Sequence, residues 1–246
     1  MEREAPGPAR EALRISLDNM EIAEKTGIPV CQDTGVPVVF AEKGRDLRIE
    51  GSLIESQVNE GVADACAEGW LRASMVSDPV FSRNNTGDCT PASFSLEEVA
   101  GSALRIRLLL RGAGSENSSR SAMLHPHSGP EGILGFVSES VSRSGAGACP
   151  PLILGIGVGG SLERCVHLAR KALLRAFGSR NPDVRIARLE EGIVLAVNSL
   201  GMGPQGFGGL TTALDARIET EPCHMASLPV AVCMGCHPHR TAERTL

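Results

Sequence analysis

The sequence predicts an α+β fold of mixed helices and short sheets. Three observations carry that expectation: apolar residues recurring at helical spacing, short runs rich in Val, Ile and Leu, and glycine-rich loops between them. Leu13, Leu17, Met20 and Ala23 mark a helix over 10–25, closed by Gly27 and Pro29, which delivers the loop Pro29-Val30-Cys31-Gln32-Asp33-Thr34-Gly35. A short strand follows at 38–40. Ser52 and Glu55 form a capping-box pattern ahead of Leu53, Ile54, Val58, Val62 and Ala65, so a second helix is expected to about Ala73, with Arg72 at its exit. Residues 75–92 hold Asp78-Pro79, Asn84-Asn85-Thr86-Gly87-Asp88 and Thr90-Pro91 and read as a long polar loop. Residues 104–108 alternate like a strand and feed a polar turn over 111–118. Residues 131–142 suit a helix, and the small, glycine-rich 142–148 is the candidate internal boundary of a chain otherwise read as one domain over 1–246. A buried strand at 151–156, a helix from Ser161 to Phe177 stopped by Gly178, and strands at 193–197 and 228–232 complete the reading.

A chain of 246 residues, 42% apolar and 22% charged with a formal charge of -5, suits an ordinary globular protein. Basic and acidic residues are interspersed, without the Lys/Arg runs and interleaved aromatics that a nucleic-acid surface needs, so neither DNA nor RNA is expected as a partner. No apolar run is long enough to span a bilayer and the first residues are too polar for a signal peptide, which points to a cytoplasmic protein without a membrane partner. In that reducing setting the 8 cysteines are expected to be thiols or metal ligands. The 28 glycines gather in loops such as 201–209, where backbone can approach a ligand closely.

The loop at Cys31 sets a thiol, an amide, a carboxylate and a hydroxyl side by side. Leaving any one of these buried and unpaired costs about 1–3 kcal/mol, so a site is a better explanation than a core turn. Gly155-Ile156-Gly157-Val158-Gly159-Gly160 contains a literal GxGxxG, yet Arg175 stands where a ribose-binding carboxylate belongs. Tight strand-to-helix packing, or a substrate carboxylate at the helix N-terminus, explains it better than a dinucleotide. Cys223-His224 with Cys233, Cys236, His237 and His239 offers zinc-like spacing, and a zinc-stabilised, non-catalytic binding or assembly module is the alternative reading. Cys66 and Cys165 fall on apolar helix faces and are expected in the core, Cys89 is ambiguous, and His125 and His127 are placed outside the site.

Seven motifs occur in order: Cys31 to Gly35, Asn85-Thr86-Gly87, Gly112 to Asn117, Cys149-Pro150-Pro151, Gly157 to Gly160, Gly203 to Gly209, and Cys223 to Val232. On these the chain resembles the alpha subunit of the class I fumarase and L-tartrate dehydratase family, from about Asp18 to Arg240. The resemblance implies the α+β arrangement of that family's alpha domain and a [4Fe-4S] cluster held by Cys31, Cys149 and Cys236. It also implies reversible hydration or dehydration of a small dicarboxylic acid, with fumarate/malate expected ahead of tartrate. Gln32 and Asp33 match residues at the proton-transfer chemistry, and His224 matches an active-site histidine. Arg72 resembles a carboxylate-binding arginine, and Gly114 and Ser115 match a substrate loop that donates through its backbone.

Three departures from the family pattern accompany the resemblance. The second half found in single-chain members is absent, so a beta subunit and a heterotetramer or alpha homodimer are expected, with activity only in the complex. The segment before Cys31 is short. Cys233 stands where an asparagine is more familiar, which sets it against Cys236 as ligand. A cluster-bearing sensor without catalysis is the remaining alternative.

Overall fold

The computed structural model describes residues 4–246. Its elements in chain order are α1 (Pro8–Thr26), β1 (Val36–Gly44), α2 (Ile54–Glu68), β2 (Ser93–Val99), β3 (Leu104–Arg111), α3 (Ala113–Ser118), β4 (Arg120–Leu124), α4 (Gly129–Ser144), β5 (Leu152–Gly160), α5 (Leu162–Leu173), α6 (Val184–Ser199), β6 (Ala213–Cys223), β7 (Leu228–Gly235) and β8 (Arg240–Thr245). The α+β expectation holds. Two compact units divide the chain: one joins the stretch through Asn19 to Gly114–His239, and the other joins Met20–Ala113 to Arg240–Leu246. No helix among the described residues is long and apolar enough to cross a membrane.

In the first unit the strands lie in the order β4-β7-β5-β6. β5 is parallel to β6 and antiparallel to β7, so the chain must cross over between β5 and β6, which α5 and α6 accomplish. Period-two alternation gives β5 two different faces. Leu152, Leu154 and Ile156 join Ile133, Phe136 and Val137 of α4 and Ile193 and Val197 of α6 in one buried cluster. The opposite face carries Gly155 and Gly157, and there α5 lies on bare backbone. A Cβ at Gly157 would run into the carbonyl oxygen of Cys165, and one at Gly155 into the carbonyl oxygen of Ala169. Ser161 caps α5 by accepting from Arg164 N at 3.1 Å, and Glu163 at its start with Arg170 and Lys171 at its end suit the helix dipole.

Buried charged groups of this unit are met by ion pairs or backbone N–H groups: Glu4 accepts from Leu210 N and Thr211 N. Asp215 and Arg217, each 1% exposed, form an ion pair at 2.9 Å, and Arg180 Nη1 reaches the other Asp215 oxygen at 2.8 Å. Burial alone would raise the Asp215 pKa, but hydrogen bonds from Arg180, Arg217 and the Gly178 N–H outweigh it and hold the carboxyl below its ordinary value. Glu190, fully buried, accepts from Arg175 at 2.7 Å, Asn181 N at 3.0 Å and Ile218 N at 2.8 Å, which ties α6 to β6.

In the second unit the order is β2-β1-β3-β8. β1 is parallel to β2 and antiparallel to β3, and β8 returns to pair antiparallel with β3. Val38, Val39, Phe40 and Ala41 of β1 are buried together with Leu109 of β3. Helix α2 buries only Cys66. The thiols of Cys66 and Cys89 lie 3.2 Å apart, and Cys66 donates to Leu71 O at 3.2 Å. Burial, the Cys89 contact and nearby charge push the Cys66 thiol up to about 11, so it behaves as a small apolar group with one weak donor.

Several expectations are corrected. Residues 193–197, read as a strand, lie inside α6, where Asp183 caps the helix by accepting from Arg185 N at 2.8 Å. A five-residue apolar run carries no period of its own, and the helix around it decides. Residues 113–118 of the expected turn are helical, α2 stops at Glu68, and α5 stops at Leu173. Ser52 makes no cap, because Leu53 occupies the N-cap position without a side-chain bond. Residues 142–148 form the end of α4 and a 3-10 turn within one unit. Their small size serves close packing: a Cβ at Gly145 would press on Val141, and one at Gly114 on the Gly147 carbonyl.

Removing one partner of the buried Asp215–Arg217 pair strands the other charge. Asp215→Asn should therefore cost about 3–5 kcal/mol and lower the melting temperature by on the order of 10 °C. Because the folded pKa is depressed, the stabilisation is complete above 3.8 and disappears as pH falls through the lower folded value. Acid unfolding followed by circular dichroism should show a shallower loss of stability below that pH in the variant than in the parent chain.

Candidate active site

The second unit gathers four of the expected site residues. Gln32, Cys31 and Asp33 occupy the loop that enters β1, and Asp33 N donates to Cys31 Sγ at 3.4 Å. At Gly35 the backbone turns with φ at +80°, and a Cβ there would collide with the Arg111 carbonyl, so only glycine lets this loop lie against β3. Asp33 Oδ2 accepts from Ala113 N at 2.7 Å, and Arg72 Nη2 stands 3.8 Å from Asp33 Oδ1. Asp33 is 21% exposed and Arg72 62%, which leaves the guanidinium open to a ligand while the carboxylate is fixed.

The Arg72 segment is held from behind. Asn85 Nδ2 donates to Ala73 O at 2.9 Å, Thr86 N to Met75 O at 2.9 Å, and Cys89 Sγ to Arg72 O at 3.5 Å. Ser74 Oγ accepts from Gly35 N at 3.2 Å, linking the segment to the Cys31 loop. The long polar loop is thus a brace, and its Asn85-Thr86-Gly87 motif acts by ordering backbone. Asp78 steadies the same loop by accepting from Ser82, Phe81 and Val80 N–H groups, which draw its carboxyl well below the usual range.

The first unit gathers four more. Cys149 precedes β5 and Cys236 follows β7, and because these strands are antiparallel both lie at one end of the sheet. His237 N donates to Cys149 O at 3.2 Å. Cys149 adopts a left-handed conformation with φ 54° and ψ 69°, which costs a non-glycine residue about 1–2 kcal/mol and persists where the surroundings dictate it. The surroundings here are Gln205, whose N and Nε2 both donate to Pro150 O at 2.9 Å, and the His237 ring. His237 Nδ1 lies 3.2 Å from Cys149 O and 3.1 Å from Gln205 Nε2, so its tautomer selects between donating to the first and accepting from the second. Burial lowers the His237 pKa and the Cys149 carbonyl bond only partly offsets this, which favours the neutral ring. Gly114 packs against Gly147, and Ser115, 4% exposed, lies one residue on in α3. Reciprocal bonds between Ser118 and Ser144, at 2.8 and 3.1 Å, fasten α3 to the end of α4.

His224 is elsewhere. It sits in the exposed turn after β6, where Nδ1 accepts from Ala226 N at 3.1 Å. Since β7 has 8 residues, that turn lies roughly 25 Å from Cys236 along the strand, at the opposite end of the sheet. Within one copy of the chain His224 is not placed to act where Cys149 and Cys236 meet.

The zinc grouping is scattered for the same reason. Cys223 ends β6 and His224 opens the far turn, Cys233 is buried in β7, and His239 Nε2 lies 2.9 Å from Leu173 O. Among the described residues no three His, Cys, Asp or Glu side chains converge as a metal site. Between the two competing cysteines, Cys236 is the one in the loop beside Cys149. Cys89 is 1% exposed and Cys165 fully buried, Gly155 and Gly157 serve strand-to-helix packing, and Gly159 lets β5 lie against the Glu221 carbonyl of β6. His237, weighed in the sequence only as part of a zinc grouping, and Gln205, inside the Gly203 to Gly209 motif, instead shape the Cys149 turn. The signal was present in the glycine-rich 201–209 loop, whose close approach is to protein backbone: a Cβ at Gly203 would meet the Gly208 carbonyl.

Comparison with known proteins adds three findings. Residues 1–245 match the model of the fumarate hydratase (Fumerase) family. The chain is 40% identical over 249 residues to a Methanocaldococcus jannaschii protein provisionally named L(+)-tartrate dehydratase subunit alpha, covering 99% of this chain and 87% of the relative. It is 36% identical over 226 residues to the Escherichia coli L(+)-tartrate dehydratase subunit alpha and 35% identical over 227 residues to that of Shigella sonnei, covering 91% of this chain and 74% of the relative in each case.

A Cβ at Gly112 would lie 2.9 Å from Asp33 Oδ2, closer than such contacts allow, and the neighbour that must yield is a side-chain carboxylate. Gly112→Ala should therefore fold with a nearly unchanged melting temperature yet displace Asp33 from the Ala113 N–H. A crystal structure of the variant checks the displacement, and an unmoved carboxylate would contradict it.

Proposed function

The chain belongs to the fumarate hydratase (Fumerase) family, and from that membership we propose that it is the alpha subunit of a hydro-lyase that adds water to, or removes it from, a small dicarboxylic acid. Family membership supports a hydro-lyase. The family's name favours fumarate/malate and the relatives' names favour tartrate, and both acids present two carboxylates to the same site. A separate beta subunit follows from the relatives being named as alpha subunits.

The observation that carries the reading is a fixed carboxylate, Asp33, standing beside an open guanidinium, Arg72, next to a thiol loop. Arg72 binds one substrate carboxylate through its planar fork, a geometry that lysine lacks. Asp33 keeps Oδ2 engaged with Ala113 N–H and so directs Oδ1 towards a ligand on Arg72, where it accepts or returns the proton at the carbon next to the hydroxyl. Gln32 contributes an amide beside it that orients the substrate hydroxyl or water. Gly114 and Ser115 donate backbone N–H groups to a substrate oxygen.

The thiols suit an iron–sulfur group. Cys149 and Cys236 occupy neighbouring loops, none of the 8 cysteines is in a disulfide, and Cys31 Sγ accepts an N–H bond of the kind that tunes cluster sulfurs. Cys31, Cys149 and Cys236 would hold a [4Fe-4S] cluster, which when bound supplies a Lewis acid for the hydroxyl that leaves or arrives. Within one copy of the chain His224 takes no part in this scheme.

The reading is tested by anaerobic turnover of the chain with its beta subunit, supplied with fumarate, malate and L(+)-tartrate in turn. Water addition or loss on at least one acid is expected, and none on all three would refute it. Arg72→Ala should raise KM by about 10- to 100-fold, the loss expected of a charged hydrogen bond worth about 1.5–3 kcal/mol, with bound iron unchanged. An unaltered KM would remove Arg72 from the substrate.

A further inference from the structure

A second arginine stands at the same end of the second unit's sheet. Arg240 opens β8, pairs with Leu110 of β3 and so lies beside Gly112, which follows the strand. The position where a Gly112 Cβ would stand has three neighbours within 4 Å: Asp33 Oδ2, Asp33 Cγ and Arg240 Nη2, the last at 3.9 Å. Asp33 and Arg240 Nη2 therefore both border the Gly112 backbone, which carries no side chain to separate them. Asp33 thus has Arg72 on the side of one oxygen and Arg240 on the side of the other.

Arg240 lacks the partners a half-buried guanidinium normally has. Its Nε is buried without a hydrogen bond, and it forms no ion pair among the described residues. An unmet buried donor of this kind costs about 1–3 kcal/mol, and the terminal nitrogens of Arg240, which have no hydrogen-bond acceptor among the described residues, are the part of the guanidinium left to meet a ligand. Asp33 is already committed to the Ala113 N–H. Two guanidiniums against one engaged carboxylate leave local positive charge that matches an incoming dianion.

We propose that Arg240 is a second carboxylate-binding residue, taking the substrate carboxylate that Arg72 does not. The proposal rests on the hydro-lyase reading for the ligand's class alone. A dicarboxylate clamped at both ends lies across Asp33, with the carbons between its carboxylates presented to Oδ1, whereas a monocarboxylate engages one fork and swings. The site therefore selects diacids over monoacids by geometry as well as charge.

Succinate, a dicarboxylate with neither hydroxyl nor double bond, measures binding without turnover. Titration calorimetry on the full chain with its beta subunit should show succinate binding more tightly than propionate. Arg240→Gln should weaken succinate by about tenfold or more and erase the preference, as loss of one charged hydrogen-bonded pair requires. Arg240→Lys, which keeps the charge and loses the fork, should fall between, and it decides the matter if the glutamine variant fails to fold by circular dichroism. Arg45→Gln, at an exposed arginine elsewhere in the unit, controls for net charge and should bind as the parent does. Parent-like succinate affinity in both Arg240 variants, or no preference for succinate over propionate in the parent, would overturn the proposal. A selective loss in Arg240→Gln, in a complex that turns over none of the three acids, would refute the hydro-lyase reading and keep Arg240 as a diacid ligand.

Discussion

Helix α5 rests directly on the backbone of β5, and the position of Cys149 and Cys236 depends on that contact. Gly155 and Gly157 carry no side chain on the face that α5 covers, while Leu152, Leu154 and Ile156 fill the other face with the α4 and α6 core. β5 is thereby fixed on both sides. Its antiparallel partner β7 ends where β5 begins, which places one thiol before β5 and the other after β7 in adjoining loops. The left-handed turn at Cys149 is then held by two neighbours, Gln205 and His237, whose own loops meet there. Local strain of on the order of 1–2 kcal/mol at Cys149 is offset by bonds that exist only because the sheet is rigid.

The second unit follows a different logic. Around the Cys31 loop a few polar contacts order the backbone: Asp33 to Ala113, Asn85 to Ala73, Cys89 to Arg72, Ser74 to Gly35. These bonds order the loop bearing Arg72 without engaging its guanidinium, which stays exposed beside a half-buried carboxylate. Fixing the acid while leaving the cation open suits a site that must hold a dianion and still move a proton. The family's hydro-lyase chemistry asks for both properties.

Much of this was legible in the residues. The helix ahead of Cys31 shows in its apolar spacing, and β5 and α5 show in a short apolar run followed by Ser161 and a helical stripe. The Cys31 loop declares itself because four groups that each need a partner stand side by side. What escaped was non-local. Residues 193–197 are β-branched and apolar enough for a strand, and only the capped helix around them settles the matter. β2, β4, β6 and β8 went unread because their strand character is conferred by pairing: β8 is Arg240-Thr241-Ala242-Glu243-Arg244-Thr245, polar throughout, and exists by its ladder with β3. The glycines at 142–148 suggested an internal boundary, whereas a Cβ at Gly145 or Gly147 would meet protein atoms; at 155–160 the expected strand-to-helix packing is what Gly155 and Gly157 provide. His224 matched a family position by spacing from Cys236, but spacing along a strand is distance, and eight extended residues carry it to the far end of the sheet.

Iron and acid-labile sulfide analysis of anaerobically reconstituted single-cysteine variants tests the central claim most directly. Serine at Cys31, Cys149 or Cys236 should each abolish the bound iron and sulfide, while serine at Cys233 or Cys223 should leave both in place. Retention of a full complement after Cys149→Ser or Cys236→Ser, or its loss after Cys233→Ser with Cys236→Ser intact, would contradict the account.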